Sequence, residues 1–220
     1  MIVDERMTTY INSLDRGHTP FLENLDKEAR ETYVPVIRRE MQSFLKVWLM
    51  MQRPKRILEI GTAIGFSALF MCEYNPEFCH ITTIENYEKR IPIAKENIKK
   101  AGREEQITLI EGDAAEVLDG LEGPYDLVFM DAAKGQYLNF LPKVLKLMGK
   151  DSVMISDNVL QDGDVIESRF AVERRNRTIH KRMRAYLYTL KHTEGLETSI
   201  LPLGDGVALT VCKEDGVKLQ

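Results

Sequence analysis

Between Val36 and Leu49, apolar residues recur at helical spacing: Val36, Ile37, Met41, Phe44, Leu45, Trp48 and Leu49 share one face, and the pattern stops before Pro54. The first fifty residues therefore read as helices. Beyond them short apolar runs alternate with helical patterns. Strands are predicted over Arg56–Ile60, Ile81–Glu85, Ile107–Ile110, Tyr125–Asp131, Val153–Asp157, Thr198–Leu203 and Val207–Cys212. Helices are predicted over Phe66–Tyr74, Glu88–Ala101, Ala114–Leu121, Gln136–Met148 and, as one long element, Ser168 to Lys191. Gly102 and Gly149 stand where helices end, and Gly204-Asp205-Gly206 turns the last two strands into a hairpin. The runs at Tyr125–Asp131 and Val153–Asp157 are nearly continuous in apolar residues, as strands covered on both faces are.

Strands separated by helices imply right-handed crossovers and an α/β fold built on a seven-stranded, mostly parallel sheet. The closing hairpin adds antiparallel pairing at or near one edge. The expected organisation is a single domain over 1–220, with an N-terminal helical cap over about 1–52 and an α/β core over 53–220. The 44% hydrophobic and 29% charged residues suit such a domain and exclude a disordered or fibrous chain. No apolar stretch approaches the roughly 20 residues that cross a bilayer, and the N-terminus has no apolar signal region. Three cysteines, Cys72, Cys79 and Cys212, lack metal-like spacing and read as reduced thiols of a cytoplasmic protein.

In an open α/β sheet, ligands sit beyond the carboxyl ends of the strands, and the chemically distinctive residues fall there. The first strand runs into Glu59-Ile60-Gly61-Thr62-Ala63-Ile64-Gly65-Phe66-Ser67. Gly61 and Gly65 let the backbone pass close to a ligand, and the helix start with Ser67 suits a carboxylate. Alone, such a turn is equally a packing device. The second strand ends in Glu85, which can accept from both hydroxyls of a ribose or stand as a solvated acid. The third ends in Gly112-Asp113-Ala114, where Asp113 can take an adenine amino group or cap the next helix. The E-x-G-x-x-x-G spacing differs from the denser G-x-G-x-x-G of dinucleotide sites. In this ordered set the chain resembles class I S-adenosylmethionine methyltransferases, with a Rossmann-like core.

The fourth strand leads into Asp131-Ala132-Ala133-Lys134 and the fifth into Asp157-Asn158. Three oxygen donors without His or Cys suit a hard divalent cation, most simply Mg²⁺, whereas isolated acids would merely end strands or cap helices. Together with Leu201-Pro202-Leu203-Gly204-Asp205-Gly206, these motifs resemble the catechol and caffeoyl-CoA O-methyltransferase family from about Val34 to Cys212. The resemblance implies Asp131, Asp157 and Asn158 as metal ligands, and Lys134, with Asp131, as the catalytic pair. It implies Val36, Glu59, Gly61, Thr62, Gly65, Ser67, Glu85, Asp113, Ala114 and Asp131 as contacts to S-adenosylmethionine.

The chain carries a net charge of −4, distributed unevenly: eight Lys/Arg against two Glu from Glu167 to Lys191 give +6 there and leave −10 elsewhere. Arg169, Arg174, Arg175, Arg177, Lys181 and Arg182 make either a solvated helix face over Phe170, Ile179, Met183, Leu187 and Leu190 or a phosphate-binding stripe. The segments L-E-I-G-T-A-I-G-F-S, D-A-A-K-G-Q-Y and D-N-V-L are similar to the bacterial tRNA 5-hydroxyuridine methyltransferase branch of the family. That resemblance implies tRNA as partner and 5-methoxyuridine at the anticodon wobble position as product. The alternative acceptor is a small catechol or a caffeoyl-CoA-like molecule. A non-catalytic cofactor- or RNA-binding module is the third reading, and it leaves the set of Asp131, Lys134, Asp157 and Asn158 without a purpose. The resemblance also implies a homodimer, for which Met41, Phe44, Trp48, Met50 and Met51 would offer an apolar face, unless they pack on their own sheet.

Overall fold

Residues 6–114 make one compact unit, and residues 115–220 with the first five make another. The computed structural model describes residues 3–76 and 78–219. In the first unit, helices α1 (Glu5–Ser13), α2 (Pro20–Glu31) and α3 (Arg39–Gln52) precede strand β1 (Arg56–Ile60), helix α4 (Phe66–Tyr74), strand β2 (His80–Glu85), helix α5 (Ile91–Lys100) and strand β3 (Ile107–Glu111). Strand β2 pairs in parallel with both β1 and β3, so that Ile57, Ile81 and Ile107 lie in register. Helix α4 is buried over its first seven residues, as a helix with no polar face must be. Helix α5 begins three residues later than the pattern from Glu88 implies, because Pro92, which lacks an amide hydrogen, belongs in a first turn.

The apolar face of α3 packs inward. Met41 and Trp48 are buried, so they serve the core and not an outer face, while Met50 and Met51 are exposed. Exposed apolar residues also line α1, where Met7, Tyr10 and Ile11 stand at helical spacing, and the exposed Leu14 follows its end. No helix among the described residues is long and apolar enough to cross a membrane.

The second unit is built on α6 (Ala114–Val117), β4 (Tyr125–Met130), α7 (Tyr137–Lys146), β5 (Met148–Ser156), α8 (Arg177–His192), β6 (Leu196–Leu201) and β7 (Val207–Cys212). Strand β4 pairs in parallel with β5, β5 is antiparallel to β7, and β7 is antiparallel to β6. The hairpin thus inserts its second strand next to β5. The seven strands run in the order β3-β2-β1-β4-β5-β7-β6. Strand β5 starts at Met148, ahead of its apolar run, through a register shift against β4 between Tyr125 and Leu127. Strand β6 stops before Pro202, which cannot donate to a ladder. The predicted helix from Ala114 continues past Val117 only as a 3₁₀ turn, Leu118–Gly120.

The largest departure from the sequence pattern is the segment 168–176. Where the long helix is expected to start it holds only a 3₁₀ turn, Arg174–Asn176, and α8 begins at Arg177. A further 3₁₀ turn, Gln161–Ile166, precedes this segment, and within it Asp162 and Gly163 have φ of 51° and 101°, which no right-handed helix admits. Helical spacing is also interrupted there, since Ile166 and Phe170 are 79% and 85% exposed. Of the contacts expected beneath a long helix, Met183, Leu187 and Leu190 are in the core and Phe170 is not.

Helix α8 is anchored by a polar bond inside that core. The Tyr186 hydroxyl lies 2.6 Å from Ser156 Oγ, both residues fully buried, and the Tyr186 ring meets Tyr137 edge-on at 5.4 Å. Tyr186→Phe leaves the serine hydroxyl unpaired, so urea unfolding should show a loss of about 1–3 kcal/mol. The double variant Tyr186→Phe/Ser156→Ala should cost less than the sum of the two single changes; simple additivity would contradict the pairing.

Candidate active site

In the first unit, the turn after β1 reverses the chain through three left-handed residues: Gly61 at φ 105°, Ala63 at 48° and Gly65 at 85°. The two glycines stand where other side chains would strain the backbone. The Gly65 amide donates to the Thr62 carbonyl at 2.8 Å, the Gly61 amide to Ile84 at 3.1 Å, and Asn97 Nδ2 to the Ile64 carbonyl at 2.9 Å. Helix α4 opens at Gly65, which puts Ser67, almost wholly buried, in its first turn.

Under this turn lies a buried polar chain. Thr83 Oγ1 donates to Glu59 Oε2 at 2.5 Å, so Thr62 Oγ1, also 2.5 Å from Thr83 Oγ1, is the donor of the second bond. Glu59 is fully buried, and its Oε1 has no hydrogen-bond partner among the described residues. Burial pushes its carboxyl up to about 7; the Ser67 and Thr83 hydroxyls pull the other way and the Glu85 charge pushes it further up.

Glu85 is less available than a bare strand-end acid. Its Oε2 accepts the Ala63 amide at 2.8 Å, and its Oε1 accepts those of Asn86 and Tyr87 at 3.0 and 2.8 Å. Three donors on about four lone-pair sites leave room for one more on Oε2. Asp113 is exposed, and Ala114 is the buried first residue of α6. Val36 sits in the extended link between α2 and α3, where it lines a cleft of about 360 Å³ with Asn12, Arg30, Arg39 and Glu40.

In the second unit, Asp131 follows β4 directly, and Asp157 and Asn158 follow β5. Asn158, at φ 60°, turns its side chain back so that Nδ2 donates to Asp131 Oδ1 at 3.0 Å. Its amide donates to Asp157 Oδ1 at 2.7 Å. Two carboxylates and an amide are thereby linked at the ends of adjacent strands. Among the described residues no group of three or more His, Cys, Asp or Glu is assembled as a metal site. The set present holds two acids, with the amide oxygen of Asn158 left over by its Nδ2 bond. Its all-oxygen chemistry fits a hard cation that keeps water or substrate in its other positions.

Two residues that sequence reasoning left without a role complete this arrangement. The Tyr137 hydroxyl is 3.1 Å from the Met130 carbonyl and 3.0 Å from that of Asp157, sharing one proton between the two strand ends. Burial first, then the charges of Asp131 and Asp157, push its phenol well above the usual range, so it stays a donor. Asp205, in the hairpin turn, pairs with Lys134 at 2.8 Å. The spacing of Tyr137 three residues after Lys134 and the G-D-G turn were both visible as motifs, but neither hydrogen bond has a local signature.

The basic stretch is only partly a free surface. Arg177 donates to the carbonyls of Val172 and Phe170, Arg182 to Gly135 and Arg184 to Val165, so these three brace loop backbone. Arg175 pairs with Glu173 at 2.7 Å. Arg169, Arg174 and Lys181 are exposed, as is Phe170.

Glu59 gives the site a pH signature. A carboxyl whose folded value of about 7 exceeds its ordinary 4.5 binds its proton more tightly in the folded protein. Its contribution to stability is therefore whole below about pH 4.5 and is lost as pH rises through about 7. Glu59→Gln mimics the protonated form, so its stability should match the parent's near pH 4 and exceed it by up to about 3 kcal/mol near pH 8. Parallel stability–pH curves for the two proteins would rule out a raised Glu59.

The sequence pattern of the O-methyltransferase family matches residues 12–213. The chain is 32% identical over 128 residues to a catechol O-methyltransferase of Niastella koreensis, a match that spans 56% of this chain and 58% of that relative. It is 33% identical over 187 residues to a caffeoyl-CoA O-methyltransferase of Medicago sativa, spanning 77% of this chain and 71% of the plant protein. The fold is similar, at a TM-score of 0.86 and 28% identity, to the S-adenosylhomocysteine-bound methyltransferase PaMTH1 of Podospora anserina, covering 96% of this chain and 95% of that one. With the βα turn, the strand-end acids and a match over nearly its whole length, the chain belongs to the O-methyltransferase family.

Proposed function

We infer that the protein transfers a methyl group from S-adenosylmethionine to one of two adjacent oxygens on a small catechol-type acceptor, with the help of a hard divalent cation. The observation that carries this reading is the linked oxygen set at the ends of β4 and β5, Asp131 tied through Asn158 to Asp157. A hard cation held by such a set would keep open positions that two vicinal acceptor oxygens can fill. The catechol and caffeoyl-CoA activities named for the relatives support the same acceptor class.

The cofactor contacts follow from the first unit. The turn with Gly61, Thr62 and Gly65 opens α4 toward the methionine carboxylate, where Ser67 adds a hydroxyl. Glu59 Oε1, the buried oxygen without a partner, suits the methionine ammonium. The remaining Oε2 site of Glu85 suits a ribose hydroxyl, and Asp113 with the backbone at Ala114 suits the adenine edge. Val36 completes the set of this unit.

Asp131, Asp157 and Asn158 would hold Mg²⁺ or a similar ion, which lowers the pKa of a neighbouring hydroxyl when bound. Lys134, anchored by Asp205, stands ready at Nζ to take or balance the hydroxyl proton. The bond from sulfur to methyl carbon breaks as the bond from oxygen to carbon forms, and the proton leaves the acceptor. No covalent enzyme intermediate is needed, and the buried Cys72, Cys79 and Cys212 remain free thiols suited to a cytoplasmic setting.

A second acceptor is favoured by one observation. Arg169, Arg174 and Lys181 are exposed in the same stretch of chain as the exposed Phe170, and basic residues with an aromatic ring are what single-stranded RNA favours, which supports 5-hydroxyuridine in tRNA as that acceptor. The exposed stripe on α1 supports a homodimer, which sedimentation tests.

Asp157→Ala should cut turnover at least about 100-fold while leaving S-adenosylhomocysteine affinity intact, and chelation of divalent cations should do the same to the parent. Unimpaired turnover in either case would remove the metal from the reading. Labelled-methyl transfer to a catechol and to tRNA bearing 5-hydroxyuridine distinguishes the acceptors. Transfer to tRNA alone, weakened uniformly by added salt and by reversal of Arg169 and Arg174, would replace the small acceptor with RNA.

A further inference from the structure

The turn between β6 and β7 carries a buried acid that the chemistry above uses only as the ion-pair partner of Lys134. Asp205 is 2% exposed, and a carboxylate so buried is costly unless both oxygens are paired. Here both are. Oδ2 takes Lys134 Nζ at 2.8 Å, and Oδ1 takes the backbone amide of Asp162. The same turn grips the chain that follows the oxygen set: the Leu160 amide donates to the Asp205 carbonyl and the Val159 amide to the Gly206 carbonyl, each at 2.9 Å. Gly206, at φ 87°, leaves no room for a side chain, since a Cβ there would stand 2.3 Å from Leu160 Cγ. Leu160 thus closes over a bare Cα.

Lys134 is different in kind. Its side chain is one-third exposed and hangs from a 3₁₀ turn, so on its own it would sample many rotamers. The buried carboxylate is what gives its ammonium one place. We propose that Asp205 is a positioning residue of the methyl-transfer reaction: it holds the Lys134 ammonium and the 157–162 loop in one fixed geometry through its two carboxylate oxygens. The proposal rests on the reading of Lys134, Asp157 and Asn158 given above. It adds that the turn sets their mutual arrangement. A lysine that must meet an acceptor proton at hydrogen-bond distance loses rate when displaced by about 1 Å.

Asp205→Asn keeps the shape and an acceptor for the Asp162 amide but removes the charge that fixes Lys134. It should lower kcat for labelled-methyl transfer about 10–100-fold, with KM and S-adenosylhomocysteine affinity changed less than about threefold. In a Lys134→Met background the same change should alter the residual rate by less than about threefold, because the side chain it positions is gone. A full-rate Asp205→Asn, or losses that multiply in the double variant, would overturn the proposal. Amide hydrogen exchange over residues 157–162 is a second readout that needs no turnover: Asp205→Ala, which removes the acceptor of the Asp162 amide, should exchange at least about tenfold faster there, and unchanged protection would overturn the loop-holding role. If the parent transfers no methyl group to any vicinal-oxygen acceptor, the functional reading fails, and the exchange result alone decides whether the latch exists. If Asp205→Asn does not fold, Lys134→Arg decides. It retains a positive partner for Asp205 but moves the head group, so it should melt within about 2 °C of the parent and lose at least about tenfold in kcat. Full rate in that variant would overturn the proposal.

Discussion

One shared proton holds the second unit's chemistry together. The Tyr137 hydroxyl bridges the carbonyls of Met130 and Asp157, the last residue of β4 and the first beyond β5. Sheet pairing aligns these strands only as far as Met130 and Ser156. Beyond the ladder the Tyr137 hydroxyl gives both carbonyls a common donor and so ties the two strand ends together. The tyrosine satisfies both in a place fully closed to water, where an unmet carbonyl is expensive. The amide of Asp157 adds a bond to Met130 at 3.0 Å. The side chains of Asp131 and Asp157 therefore leave the sheet from fixed points, and the Asn158 amide can link them. The edge-on contact with Tyr186 carries this order into α8, whose own hydroxyl is fixed by Ser156.

The first unit solves a different problem. A ligand site must have polar groups ready, yet polar groups buried without partners destabilise a fold. The chain of Thr62, Thr83 and Glu59 satisfies all but one oxygen, and the uptake of a proton near pH 7 relieves the remainder. The deficit sits directly under the turn that would receive a cationic group. Glu85 shows the converse, a carboxylate already used by three backbone amides to fix the same turn. Its part in shaping the loop and its part in binding are compatible because a carboxylate accepts more bonds than the backbone offers here.

Sequence legibility followed the range of the forces involved. The strands at Arg56, Tyr125 and Val207 could be read because burial on both faces writes a continuous apolar run. The residues at strand ends could be read because parallel sheets deliver ligands there. What could not be read depends on contacts distant in sequence. Tyr137 and Asp157 are twenty residues apart, and Lys134 and Asp205 seventy-one. Periodicity also misjudged the segment 168–176. Its charges look like a helix face, but its carbonyls at Phe170 and Val172 accept from the Arg177 side chain. Just before it, Asp162 and Gly163 take up left-handed conformations, and the hairpin turn supplies the carboxylate that holds the Asp162 amide, so a tertiary bond and not a local propensity decides that backbone.

The same loop changes what the basic stretch means. Counted along the sequence, residues 167–191 carry an excess of six positive charges. In the fold, the loop ahead of α8 has carbonyls with no helical partner, and arginine side chains meet them: Arg177 at Val172 and Phe170, Arg184 at Val165. Part of the charge excess thus exists because irregular backbone needs donors, and guanidinium supplies several in a fixed geometry. The charge left to attract a partner is Arg169, Arg174 and Lys181, flanked by Phe170 and Ile166. Such a surface is both cationic and apolar. An acceptor that carries phosphates beside an aromatic ring would satisfy it, whether that ring belongs to a coenzyme-linked phenol or to a nucleobase. On the proposed reading, the oxygen set would fix which group is methylated, and this loop would bear on what that group is attached to.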